Sequence, residues 1–180
     1  MFRSIDLPAD VPGSLYLHSM PGMFEKFSEF LAEAARTWLD QVICLVSEDE
    51  ILRKSPAYGE ALSMGRFPIE RVAFPIRDYG VPGEGERQRF LDLATGAAAG
   101  LNAGQSLLVH CASGVGRTGT FSLCVLAALG LDCAEAIKKL SNAGAGPETM
   151  EQMNLVKYFF GLNGKDITQL HALYTSVCMD

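Results

Sequence analysis

The residues best equipped for chemistry sit together in "HCASGVGRTG", residues 110–119: a cysteine, an arginine six positions later, a threonine beside it and small residues between. The apolar "SLLV" precedes them and "FSLCVLAALG" follows, so the stretch reads as strand, loop and helix. The amides of such a loop converge on a hollow at the positive end of the helix dipole, which suits a tetrahedral oxyanion. Gly114 and Gly116 supply backbone freedom and close approach, while Ala112, Ser113 and Val115 add amides without charged side chains. Arg117 can present a two-pronged donor to two anion oxygens and steady the charge of a transition state. At the mouth of this nest, helix-end amides and a guanidinium both favour the thiolate form of Cys111, a nucleophile toward phosphorus. The Thr118 hydroxyl can hydrogen-bond the sulfur and assist its departure.

Other motifs compete for the same residues. "GVGRTG" matches the dinucleotide pattern G-x-G-x-x-G, but Lys138 and Lys139 stand where its acidic residue is expected. The triphosphate loop G-x-x-x-x-G-K-[ST] nearly fits too, departing from this sequence only at Cys111 and Arg117. A papain-like pair would need a histidine base; His171 lies downstream, yet no local signature surrounds Cys111. Phosphoryl transfer to sulfur expels an oxygen that needs a proton, so a carboxylic acid must reach the loop. Asp78 in "FPIRDYGVP" follows a strand in a Pro/Gly-flanked loop and is the candidate; a turn-forming aspartate would look the same. Asp92 is the runner-up, placed in mid-helix.

These residues need a scaffold. Phe24, Phe27, Phe30, Leu31, Ala34, Ala35, Trp38 and Leu39 recur at helical spacing and mark one buried face. "SLYL", "QVICLV", "ERVAFPI" and "QSLLVH" read as strands, while "SEDEILRKSP" and "AYGEALSMG" read as short helical or looped pieces. Residues 85–100 and 117–129 read as helices; Asp132 with Glu135 caps a helix over "CAEAIKKLSN", one more runs from Pro147 to about Leu162, and "DITQLHALYTSV" gives a last. Strands alternating with helices predict an α/β fold: a largely parallel sheet with helices on both faces. No linker or repeat divides residues 1–180, so one domain is expected.

With 180 residues, 48% of them hydrophobic, the chain can bury a core without staples. Its net charge of −6 offers no basic field for nucleic acid or an anionic membrane, so an anionic substrate must be held locally. Five cysteines, mostly within apolar runs, suit reduced thiols in the cytoplasm, and the N-terminus lacks an apolar signal core. No apolar stretch reaches the roughly 20 residues of a bilayer span. No metal-ligand cluster is visible.

"HCASGVGRT" matches H-C-x5-R-[ST] and so resembles the signature of the cysteine-dependent protein tyrosine and dual-specificity phosphatases, over about residues 40–160. With "PIRDYGVP" and the small size, the look is closest to the kinase-associated dual-specificity branch. The resemblance implies a three-layer fold, a cysteinyl-phosphate intermediate, no cofactor or metal, and a monomer acting on phosphoproteins or phosphopeptides. It places Cys111, Arg117 and Thr118 in catalysis and residues 112–117 around the phosphate. Asp78 becomes the acid of a movable loop, 33 residues before Cys111, where the family has it a little over thirty before. "GPETMEQMNLVKYF" resembles the region that positions the hydrolytic water: Gln152 takes that role, with Glu148 where classical members carry an earlier glutamine. "SEDE" resembles the acidic loop that pairs with the arginine, through Glu48 or Glu50. Some relatives protect the thiolate as a disulfide, for which Cys44 is the partner here, beside the reading of Cys44 as an inert core thiol. His110 is expected to orient the loop rather than serve as a base. No deep phosphotyrosine loop is evident, which implies a shallow cleft for phosphotyrosine, phosphoserine or phosphothreonine, and the neutral loop side chains argue against inositides. Two alternatives stay open: a hydrolase of small phosphometabolites and a catalytically silent phosphate-binding module.

Overall fold

The computed structural model describes residues 1–161; the expected last helix, with His171, lies outside them. Five strands form one sheet in the order β1 (Arg3–Ile5), β2 (Ser14–His18), β5 (Ser106–His110), β3 (Gln41–Cys44) and β4 (Glu70–Ala73). All neighbours are parallel except β1, which runs antiparallel to β2 and pairs Arg3 with Leu17. The central strand β5 is paired along both edges, and packed side chains cover both of its faces, which is why "SLLVH" is apolar on both.

Alternate residues of the central strands enter two cores. Leu108 and Val42 point to the smaller one, where Phe2, Phe30, Ala34 and Leu39 cover them; Phe30 and Ala34 come from α1 (Phe27–Arg36). Leu107, Val109 and Ile43 point to the larger one. That side is filled by α2 (Glu48–Lys54), α3 (Pro56–Ser63), α4 (Arg87–Asn102), α5 (Gly116–Ala128), α6 (Cys133–Asn142) and α7 (Met150–Phe159). Helix α5 lies at its centre, with residues 116–126 all buried, and packs on α4, α6 and α7. The Phe90 and Phe121 rings meet edge to face there, 5.2 Å between centroids.

Several expectations change in detail. The first helix is shorter than its apolar pattern: Phe24 lies before it and is exposed, and Trp38 follows it with φ 50° and its ring in solvent. The Pro/Gly-containing lead conceals β1, three residues whose alternation is too short to register in sequence. Asp132 does cap α6, its carboxylate accepting from the Glu135 amide at 3.0 Å. No helix among the described residues is long and apolar enough to cross a membrane.

Candidate active site

Strand β5 ends at His110, and the chain crosses from it to the first turn of α5 in five residues. What orients this loop is the fate of its carbonyls, most of which accept a hydrogen bond from a neighbour. Leu45 N–H donates to His110 O at 2.9 Å, Met20 N–H to Ala112 O at 2.8 Å, and Gly119 N–H to Val115 O at 2.7 Å. His110 Nδ1 lies 3.0 Å from Cys111 O; a carbonyl only accepts, so Nδ1 carries the proton and Nε2 accepts from the Tyr58 hydroxyl at 3.3 Å. Burial lowers the His110 pKa to about 4, so the ring is neutral at pH 7 and orients the loop. The amides of Ser113, Val115 and Gly116 are left without a carbonyl partner among the described residues. Gly114, with φ 77°, makes the turn and gives its N–H to Cys111 Sγ at 3.3 Å. A Cβ there would collide with His18 O, so glycine is required for space as well as angle.

Arg117 enters from the second position of α5 and is almost wholly buried. Nη1 donates to Glu50 Oε2 and to Ile76 O, both at 2.9 Å; Nη2 donates to Glu50 Oε1 at 3.1 Å and to Asp78 Oδ1 at 2.8 Å. Four of the five guanidinium protons are thereby assigned, and only the Nε–H has no partner among the described residues. Glu50, not Glu48, is the arginine's carboxylate. Burial acts to raise the Glu50 pKa, but hydrogen bonds from Arg117 and Lys54 outweigh it and hold it at about 2. Glu48 instead pairs with Arg71 at 2.5 Å.

Asp78 reaches this centre from the loop after β4, with its side chain about half exposed. Asp92, the runner-up, stays on α4 and accepts from Gln88 at 2.8 Å. Thr118 Oγ1 is buried beside the loop without a partner among the described residues, so its bond to sulfur is not made in this state.

Gln152 and Glu148 are arranged differently from expectation. Gln152 is buried: its Oε1 accepts from the Glu148 amide at 2.8 Å and its Nε2 donates to Gly80 O at 3.1 Å. It therefore ties the start of α7 to the loop that carries Asp78. The exposed Glu148 carboxylate lies against the 111–117 loop, where a Cβ on Gly116 would strike its Oε2. Cys44 and Cys111 are both free thiols. Cys44 donates to Val46 O at 3.6 Å and lies 3.7 Å from Arg71, and burial pushes its pKa up. Among the described residues no group of acidic, cysteine or histidine side chains could hold a metal.

Sequence reasoning missed Arg3. Its guanidinium donates to Gly114 O in the loop, and to Ala143 O at 2.9 Å and Gly144 O at 2.8 Å just past α6. No local motif announces a bond across more than a hundred residues.

The structure superposes on kinase-associated phosphatase carrying a serine in place of its catalytic cysteine, with a TM-score of 0.72 and 17% identity over 91% of this chain and 97% of that one. It likewise matches Tk-PTP in its active form, with a TM-score of 0.63 and 24% identity over 88% and 97% of the two chains. TpbA of P. aeruginosa follows with a TM-score of 0.57 and 16% identity over 97% and 95%. At such identities these likenesses establish the protein tyrosine phosphatase fold. No curated protein sequence matches the chain. The family model of the Swiss Army Knife protein DSP-PTPase phosphatase domain matches residues 11–157. That match spans most of the chain and includes the 111–117 loop, Asp78 and the start of α7, so the protein belongs to this family of phosphatase domains.

Proposed function

We propose that the protein hydrolyses phosphomonoesters of tyrosine, serine or threonine on protein substrates through a phosphorylated Cys111. The observation that carries this reading is the pattern of bonds at Arg117. Glu50 and Ile76 O fix one side of the guanidinium, while the Nε–H and the Nη2–H now held by Asp78 form the other. That second edge has the geometry of a fork for two phosphate oxygens. When an anion takes it, Asp78 is released toward the leaving oxygen.

The cycle then balances with protein groups and water. The Cys111 thiolate attacks phosphorus, the P–O bond to the leaving group breaks, and Asp78 gives that oxygen its proton. Loop amides and Arg117 carry the charge on the three remaining oxygens. A water next attacks phosphorus, Asp78 takes its proton, the S–P bond breaks with its electron pair returning to sulfur, and inorganic phosphate leaves. Thr118 is the donor available to the departing sulfur. Glu148, at the face of Gly116, is better placed than Gln152 to orient the water.

The substrate class is supported by the surface beside the acid. A cleft of about 550 Å³ is lined by Arg53, Lys54, Arg77 and Asp78 among others, and Tyr79 is exposed next to it. Its basic side chains Arg53, Lys54 and Arg77 suit acidic residues that flank a phosphorylated position on a protein. Turnover of p-nitrophenyl phosphate in the presence of a chelator, lost in Cys111→Ser, is the expected result. Phosphate binding without turnover would instead mark a silent binding module, and turnover confined to soluble phosphometabolites would displace the protein-substrate reading.

A further inference from the structure

A cation stands on the side of the phosphate loop opposite Arg117. It is Arg3, the first residue of β1, held by the ladder that pairs it with Leu17 while its guanidinium reaches over the loop. We propose that Arg3 is a positioning residue for the catalytic cysteine: by holding Gly114 O it fixes the Gly114–Val115 peptide, so that the Val115 N–H faces the anion beside the Gly114 N–H that meets the sulfur, and it adds positive charge behind the thiolate.

Three observations converge. Every acceptor of the Arg3 guanidinium is a backbone carbonyl, so among the described residues no carboxylate cancels its charge. Gly114 is the residue it grips, and Gly114 is also the one whose N–H reaches Cys111 Sγ. The other two acceptors, Ala143 O and Gly144 O, lie at the end of α6, from which the chain runs to Glu148. Gly146 N–H on that same path approaches Val115 O at 3.4 Å. One planar fork thus binds the loop to the segment that brings in the proposed water-handling carboxylate. Burial lowers the Arg3 pKa, and the nearby Cys111 charge acts against that shift.

A strut that merely stabilised the fold would affect melting and nothing else. The proposal, which rests on the cysteine-nucleophile reading, predicts more. Arg3→Ala should lower kcat/KM for p-nitrophenyl phosphate about tenfold, the loss expected for one charge-assisted hydrogen bond near the reacting groups. The pH at which Cys111 alkylation by iodoacetamide reaches half its maximal rate should move upward. Arg3→Lys keeps the charge but not the fork, so it should restore the alkylation profile while leaving orthovanadate binding weakened. If Arg3→Ala does not fold, Arg3→Gln and Arg3→Lys are compared in the same way, Gln retaining hydrogen bonds without charge. Wild-type pH profiles for turnover and alkylation in folded Arg3 variants, with only the melting temperature lowered, would overturn the proposal. Alkylation and vanadate binding are read without turnover. A wild-type protein that fails to hydrolyse any phosphomonoester therefore refutes the proposed function and leaves the Arg3 measurements decisive on their own.

Discussion

At the residue scale the site is governed by one shared donor. In the proposed reaction an incoming phosphate competes with Asp78 for the Arg117 Nη2–H, so removing the carboxylate should have opposite effects on binding and on chemistry. Asp78→Ala is expected to bind inorganic phosphate or orthovanadate more tightly than the wild type. The same change should reduce kcat on a phosphoserine peptide by about 10²–10⁴, the usual contribution of a general acid. Titration calorimetry and steady-state kinetics on one preparation check both. Glu50 holds the other side of the guanidinium and gives a second prediction. Its folded pKa of about 2 lies below the ordinary 4.5, so the stabilisation it contributes is present above about pH 4.5 and is lost as pH falls toward 2. Melting temperatures across that window should fall in the wild type and change less in Glu50→Gln. Glu50→Ala leaves a buried guanidinium without its two bonds and should cost about 3–5 kcal/mol, measurable by urea unfolding near neutral pH.

At the element scale, the loop and the start of α7 are set by close backbone approaches. Gly119 in α5 faces Gly146 so tightly that a Cβ would collide with the Gly146 backbone nitrogen. Gly119→Ala should therefore push the connection between α6 and α7 away from the loop, raising KM for phosphopeptides along with a loss of stability. Thermal melting and steady-state kinetics should show both changes. The contrast between what could and could not be read from sequence is sharp here. Residues 106–128 announced strand, loop and helix, because apolar runs bracket a glycine-rich turn with a thiol and an arginine at fixed spacing. The α6 boundaries were equally legible, since Asp132 and Glu135 form a local cap. The role of Gln152 was not. Its amide answers to Gly80 O, a tertiary partner that no local pattern encodes, and the same blindness hid Arg3 and turned Trp38 outward. Glu48 and Glu50 are two residues apart on one short helix, and only the packing of α2 against the arginine chooses between them.

At the scale of the whole molecule, the proposed catalysis depends on a sheet filled on both faces, with Cys111 just past the carboxyl end of its central strand and Arg117 on the most buried helix. The uninterrupted apolar runs of β3 and β5 marked them in sequence as strands; the antiparallel edge strand β1, only three residues long, was not legible. Phe121, fully buried against Phe90, anchors α5 beneath the loop. Phe121→Ala should lose about 3–5 kcal/mol of stability, checked by urea unfolding, and impair activity by loosening the helix that presents Arg117. The central claim is a covalent bond between Cys111 and phosphorus, and it can be observed. Asp78→Asn mixed with p-nitrophenyl phosphate should still accept a phosphoryl group, since that leaving group needs little protonation, but should release it slowly without a base for water. Peptide mass spectrometry after rapid quenching should then find one phosphoryl group on Cys111. A wild-type protein that turns over while this adduct never appears, with Cys111→Ser retaining full activity, would contradict the account.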